Sequence, residues 1–266
     1  MSSFYSKKDN QISIHTNMMN EIKGYKDYIP DSITSVSTGD ESVSTICSDI
    51  YDAPPIESDG LSWPGIGTRS RINESPEQEA ARLEKMKAAI STVIECLGED
   101  PSRNGILKSP ERYAKAMLFF TKGYQESLYD ILNSAVFEES HEDSVLVKDI
   151  VTFSLCEHHL VPFKNNIAIA YIPNRNVIGL SKLARISEMY SQRLQVQERL
   201  TKQIAIAINH LLQPQGVAVL IESSHQCMSM RGVQKPDSKT ITSFTIGKYK
   251  ECRDTRREFF DLVRRK

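Results

Sequence analysis

Cys156 and His159 lie three positions apart in Leu155-Cys156-Glu157-His158-His159, so one turn of chain can aim both side chains at a single ion. A thiolate and an imidazole together favour Zn2+ over Mg2+ or Ca2+. A lone C-x-x-H also describes a buried thiol beside a surface histidine, so the pair gains meaning only with a third ligand. His225-Gln226-Cys227 offers one. Both clusters end strand-like segments, and if those strands are neighbours then Cys156, His159 and Cys227 converge. Three protein ligands leave the fourth tetrahedral position to water, the pattern of catalytic rather than structural zinc. His158 and His225 then stand unligated near the ion, and imidazoles titrate close enough to neutrality to move protons during a hydrolysis. Packing, or support of a ligand, is the plainer alternative for each.

An anion could be gripped nearby. Ser181, Lys182 and Arg185 fall at a helix start, where backbone N–H groups and the helix dipole favour negative charge. Arg231 follows Cys227 by four residues. Arg and Lys are the natural donors to phosphate oxygens, although any one of them taken alone is more often a solvated surface residue. Gln197-Glu198 opens the next helix. A carboxylate there can accept two hydrogen bonds from paired donors, or merely complement the helix dipole.

These residues need elements to position them. Ser75-Pro76 reads as an N-cap followed by proline at the first helical position. Leu83, Met86, Ile90, Val93 and Leu97 then recur at helical spacing, and Gly98 is placed to cap the end. Ser109-Pro110-Glu111 repeats the start signal, with Tyr113, Met117, Phe120 and Tyr124 predicting a second helix. From about residue 147 the period changes to that of strands. Ile167, Ile169 and Tyr171 alternate with alanines up to Pro173-Asn174. Two helices follow, one over 183–194 and one carrying Leu200, Ile204, Ile208 and Leu211 before Pro214. Val217, Val219 and Ile221 alternate next, then Thr240 to Ile246, and a short helix with Phe259, Leu262 and Val263 closes the chain. Two strands, two helices and two strands behind a helical segment indicate α+β with an antiparallel sheet.

Composition sets the limits. Lys and Arg number 33 against 34 Asp and Glu, a net charge of -1 that gives no reason to expect nucleic acid or an anionic membrane as partner. Five scattered cysteines are not a disulfide framework and point to a reducing, cytoplasmic setting. No signal-peptide core follows the N-terminus, and no run approaches the roughly 18 apolar residues of a membrane span. Residues 1–74 are rich in Ser, Thr, Asp and Asn without period and read as a disordered or regulatory extension. Order is expected over 75–266, helical over 75–135 and sheet-based over 145–266.

Four blocks in sequence carry a resemblance: Cys156-Glu157-His158-His159, the run 179–185 (Gly-Leu-Ser-Lys-Leu-Ala-Arg), the run 193–201 (Arg-Leu-Gln-Val-Gln-Glu-Arg-Leu-Thr), and the run 225–232 (His-Gln-Cys-Met-Ser-Met-Arg-Gly). In order and spacing they resemble the signature blocks of GTP cyclohydrolase I, and the likeness spans roughly the whole segment expected to be ordered. The resemblance implies hydrolysis of GTP at guanine C8, with release of formate and formation of 7,8-dihydroneopterin triphosphate on the route to folate or tetrahydrobiopterin. It implies one zinc per subunit on Cys156, His159 and Cys227, with His158 and His225 in proton transfer. Ser181, Lys182, Arg185 and Arg231 would line the triphosphate site, joined by Arg112 and Lys115 from a neighbouring subunit. Gln197 and Glu198 would hold the base, Glu198 supplying the carboxylate. The implied architecture is the tunnelling fold, an antiparallel sheet with two core helices whose strands close a barrel across subunits. The implied assembly is a homodecamer of two pentamers; whether a regulatory protein binds is left open.

Other classes fit less well. A zinc-finger nucleic-acid module needs four closely spaced ligands and a basic surface, whereas these ligands spread over about 70 residues. A zinc base deaminase would carry H-x-E and P-C-x-x-C, and neither is found. A non-catalytic relative keeping fold and metal would be expected to have lost chemical residues, yet Cys156, His158, His159, Glu198, His225, Cys227 and Arg231 are all present.

Overall fold

The computed structural model describes residue 71 and residues 74–265, all within the unit Ala53–Lys266. The reading of 1–74 as an extension falls outside the described residues except at Arg71 and Glu74. Both of these bind the ordered unit. Arg71 donates to the carbonyl and hydroxyl of Thr121 at 3.2 Å each, and Glu74 pairs with Arg82 at 2.6 Å.

The first helix, α1 (Pro76–Cys96), begins as its sequence requires: Ser75 accepts from the Gln78 N–H, and the Gln78 side chain accepts from the Ser75 N–H. That reciprocal capping box satisfies two otherwise unpaired donors. Gly98, just past the end, takes the left-handed φ of +84°. The second helix, α2 (Ser109–Phe120), differs from the expectation in two ways. Lys108 rather than a serine occupies the cap position, and the helix stops short of Tyr124. The chain turns into a 3-10 segment, Lys122–Tyr124, because Gly123 is drawn onto the next layer. Its N–H donates to the carbonyl of Gln192 at 3.0 Å, and its carbonyl accepts from Nε of the buried Arg193 at 3.1 Å. A short α3 (Leu128–Leu132) follows.

Two small strands, β1 (Val136–Glu138) and β4 (Asn176–Ile178), pair antiparallel and were not foreseen from the sequence. The main sheet is built from β2 (Val145–Cys156), β3 (Pro162–Ile172), β5 (Leu194–Gln195), β6 (Gly216–His225) and β7 (Thr240–Gly247) in the order β5-β2-β3-β6-β7. Only the two-residue β5 runs parallel to its neighbour. The helices α4 (Leu180–Ser191) and α5 (Gln197–Leu212) are the two expected core helices, the first starting and ending three residues before the predicted bounds. A short α6 (Gln226–Ser229) carries Cys227, and α7 (Lys248–Glu251) and α8 (Arg253–Arg264) end the chain. The result is α+β, as the period and order of the elements indicated.

The core lies between the sheet and α4–α5, where Phe163, Ile167, Ile169, Leu183, Ile186, Leu200, Ile204, Ile208, Val217 and Val219 are all fully buried. The opposite sheet face is covered at one end by Tyr249 and Phe259 against Ala170, Ile172 and Ala218. At the other end Val151, Phe153 and Ile241 stay exposed. A polar ladder crosses the core face. The Asn165 amide donates to Thr152 and Ser154 on β2 at 3.2 and 3.1 Å, Ser223 on β6 donates to the Asn165 oxygen at 2.5 Å, and Thr152 bonds Ser191 of α4 at 2.8 Å. All five residues are buried, so each bond is formed where an unpaired group would cost about 1–3 kcal/mol. The ladder locks the register of β2, β3 and β6 just behind the strand ends that bear the cysteines and histidines.

Gly123 admits no side chain, since a Cβ there would sit 1.9 Å from the carbonyl oxygen of Met189. Gly123→Ala should therefore lower unfolding stability by about 1–3 kcal/mol, read as a shifted denaturant midpoint with an unchanged m-value.

Candidate metal centre and nucleotide pocket

The metal turn follows directly from β2. Cys156 closes the strand, its N–H donating to the Val161 carbonyl at 3.0 Å, while its own carbonyl accepts from Leu160 N–H at 2.8 Å and His159 N–H at 3.3 Å. The turn is tight enough to force Leu160 into the left-handed region at φ +53°. A branched side chain there stores strain of order 1 kcal/mol, sustained because the pairing of β2 with β3 fixes both arms of the turn.

The two clusters do meet, although not on adjacent strands. β2 and β6 flank β3, whose Pro162 pairs with Leu155 and whose Phe163 pairs with His225. The expected neighbouring strands are thus one strand apart, and α6 bridges the gap by carrying Cys227 back past the start of β3. Ligand atoms of Cys156, His159 and Cys227 all lie within 4.8 Å of one another. Cys156 Sγ stands 3.9 Å from Nδ1 of both His158 and His159. Tetrahedral zinc with bonds of about 2.0–2.3 Å separates its ligands by roughly 3.5–4 Å, so the donor set fits that ion after small side-chain movements. Burial, followed by the nearby Cys156 sulfur, pushes the Cys227 thiol above its usual range. Arg231, on the loop beyond, pulls the other way, which places its charge near the metal centre.

His225 ends β6 with its ring stacked on Phe163, 4.4 Å between centroids and 12° between planes. Its Nε2 lies 2.9 Å from Oε1 of Gln197. Burial holds its pKa below the ordinary histidine value, opposed by the negative charge of Glu198. His158, by contrast, is exposed, its Nε2 3.9 Å from Glu157.

Three consecutive residues at the start of α5 point three ways. Glu198 is exposed and its field reaches His225. Gln197, grouped with Glu198 as a base contact in the sequence reading, turns inward and is 2 % exposed. Its amide nitrogen lies 3.0 Å from the Ile221 carbonyl, 2.9 Å from the Thr240 carbonyl and 3.1 Å from the Thr242 hydroxyl. These bonds anchor the side-chain nitrogen within the fold and leave its oxygen toward His225. Arg199 turns to the metal turn, where it pairs with Glu157, and it also donates to the Leu194 carbonyl at 3.2 Å and Gln195 Oε1 at 3.1 Å. Sequence reasoning assigned no role to Glu157, Arg199 or Phe163. The first two sit inside quoted blocks, but only the fold puts them in contact.

The cationic residues are placed unevenly. Ser181 and Arg185 are exposed in the first turns of α4. Lys182 beside them donates to the Ile131 carbonyl at 2.6 Å, leaving two ammonium protons for another acceptor. Arg112 and Lys115 stand exposed on α2, with Lys115 paired to Glu111 at 2.6 Å.

Comparison with known proteins agrees with this geometry. The family model of GTP cyclohydrolase I matches residues 86–264. The chain is 54% identical over 235 residues to GTP cyclohydrolase 1 of Neurospora crassa, covering 88% of this chain and 74% of that protein. It is 55% identical over 214 residues to GTP cyclohydrolase 1 of Saccharomyces cerevisiae, covering 80% and 88% respectively. With the Homo sapiens protein of the same name the identity is 53% over 213 residues, covering 80% and 85%.

Because the Cys227 thiol holds its proton above the ordinary cysteine range, metal must displace that proton near neutral pH. Titrating zinc into metal-free protein at pH 7 should release more than one proton per site in total, about one of them from Cys227, followed with an indicator dye. Apparent affinity should rise with pH, by up to about tenfold per unit for each proton displaced, and Cys227→Ser should abolish high-affinity binding.

Proposed function

The chain belongs to the GTP cyclohydrolase I family, enzymes of the first step of pterin biosynthesis, and we propose that it works on GTP at a zinc centre held by Cys156, His159 and Cys227. The observation that carries the reading is the convergence of two thiols and an imidazole beside the α5 start, where Glu198 faces outward. Zinc bound there would supply a water acidic enough to act as nucleophile near neutral pH.

The chain's own residues would do the rest. Glu198 accepts hydrogen bonds from the N1–H and exocyclic amine of guanine, two parallel donors that suit one carboxylate. That contact sets C8 of the base toward the metal turn. Its charge also favours the protonated form of the neighbouring His225, opposing burial. His225 and His158 exchange protons with the ring nitrogens as the imidazole ring of guanine opens and C8 leaves as formate. The exposed His158 can return protons to solvent, which the half-buried His225 does less readily. Ser181, Lys182, Arg185 and Arg231 hold the triphosphate, with the remaining protons of Lys182 turned to a phosphate oxygen. The rearranged ribose then closes on the opened base to give 7,8-dihydroneopterin triphosphate.

The assembly reading rests on the sheet. β7 pairs only with β6, and β2 meets β5 only at Leu155 and Cys156, so among the described residues both long edges are open. Open edges beside exposed Val151, Phe153 and Ile241 favour closure against further copies of the chain. A homodecamer of two pentamers would satisfy these edges and bring Arg112 and Lys115 to a neighbouring site. Among the described residues no helix is long and apolar enough to cross a membrane, in keeping with a cytoplasmic enzyme. The composition of residues 1–74 suits a regulatory extension.

Zinc-loaded protein given GTP should release formate and a pterin chromophore in equal amounts; formate without pterin would mark an enzyme that stops after ring opening. Glu198→Ala should keep its zinc while KM for GTP rises roughly 10- to 100-fold, the loss expected when a charged acceptor of two hydrogen bonds is removed.

A further inference from the structure

Gln197 sits under His225 in a hydrogen-bond network that fixes which end of its amide faces the ring, its two N–H groups being shared among three acceptors. The Ile221 and Thr240 carbonyls can only accept, so the Gln197 group facing them at 3.0 and 2.9 Å must be the amide nitrogen. The hydroxyls agree. Thr201 donates to the Gln197 backbone carbonyl at 2.8 Å, so Thr242, 2.6 Å away, must donate to Thr201. The Thr242 oxygen is then left to accept from Gln197 Nε2 at 3.1 Å. With its nitrogen fixed this way, the Gln197 side chain presents only its oxygen to His225. That oxygen accepts, so the ring nitrogen 2.9 Å from it must carry a hydrogen. Stacking on Phe163, itself fully buried, keeps the imidazole in its plane, and a ring flip within that plane would put a C–H against the oxygen and lose the 2.9 Å hydrogen bond.

We infer that Gln197 is a positioning residue that pins the Nε2–H tautomer of His225, so that Nδ1 is the nitrogen that exchanges protons with the purine. Resting on the reading of His225 as a proton-transfer residue, this assigns Gln197 a role distinct from holding the base. The transferred proton arrives at and departs from Nδ1 while the Nε2 proton stays on the Gln197 oxygen. A histidine free to take either tautomer would spend part of its time with Nδ1 blocked by the wrong proton. The same three consecutive residues thus divide three tasks: Gln197 orients the imidazole, Glu198 meets the base, and Arg199 braces the metal turn.

The test uses zinc-loaded, full-length protein. Gln197→Leu should lower kcat roughly 10- to 100-fold, the usual effect of removing a residue that orients a functional histidine, with zinc content intact. KM for GTP should stay within about threefold, because no substrate contact is removed. Magic-angle spinning NMR of 15N-histidine-labelled protein should place the hydrogen of His225 on Nε2, assigned by the resonance missing from His225→Asn, and the Gln197→Leu sample should lose that preference. A raised KM with unchanged kcat would overturn the inference and make Gln197 a base contact. A wild-type spectrum with the hydrogen on Nδ1 would overturn it as well, and this measurement decides the matter even where Gln197→Leu fails to assemble. Full turnover in His225→Asn would remove the catalytic reading of His225 and the inference with it. An inactive His225→Asn beside a fully active Gln197→Leu would remove the inference alone.

Discussion

Two cysteine sulfurs and an imidazole held within a few ångströms are a poor arrangement for a fold to adopt for its own sake. Each thiol is moved from water, and burial together with the Cys156 sulfur raises the pKa of Cys227. Burying such groups without an ion wins little apolar stabilisation, and it requires the left-handed backbone at Leu160. The surrounding structure reads as the means of enforcing this convergence. β3 supplies the spacing, since its first two residues pair with Leu155 on one side and His225 on the other. The buried ladder through Asn165 prevents either partner strand from slipping, because a shift in register would strand several polar groups in the core.

The second organising point is the start of α5. A helix beginning places three successive side chains roughly 100° apart, so residues adjacent in sequence meet different surroundings. Here one faces the sheet, one the solvent and one the metal turn. The distribution couples the Cys156–His159–Cys227 cluster to the start of α5 mechanically. Arg199 ties Glu157, next to Cys156, to the helix that carries Glu198, so the separation of the Cys156–His159–Cys227 cluster from the start of α5 is set by a short chain of bonded side chains. The short β5 strand shares in this, since it pairs with Leu155 and Cys156 while its Gln195 donates to the Tyr190 carbonyl and to Gln203, each at 2.8 Å.

Most of the element types could be read along the chain. The proline-marked helix starts at 76 and 109, the alternating strands around Ile167 and Val219, and the core helix through Leu200 and Ile208 all depend on local pattern, and local pattern is what hydrophobic period reports. The failures were local signals overruled from a distance. Tyr124 lies at helical spacing from Phe120, yet Gly123 packs against the end of α4 and turns the chain. The β1–β4 pair, three residues on each side, is too short to register as a period.

The sequence by itself determined the chemistry available: two thiols, an imidazole, two further histidines, a carboxylate at a helix start and basic residues at another. Residue type fixes ligand softness, charge and proton capacity, and none of these needs a fold to be known. Only the tertiary structure decided who meets whom. That the ligands join across β3 rather than between adjacent strands follows from strand order, a property of contacts made far apart in the chain. That Gln197 turns to His225 while Glu198 faces outward was equally out of reach of the sequence. A side chain's direction at a helix start is set by which carbonyls and rings surround it, and here those come from β3, β6 and β7.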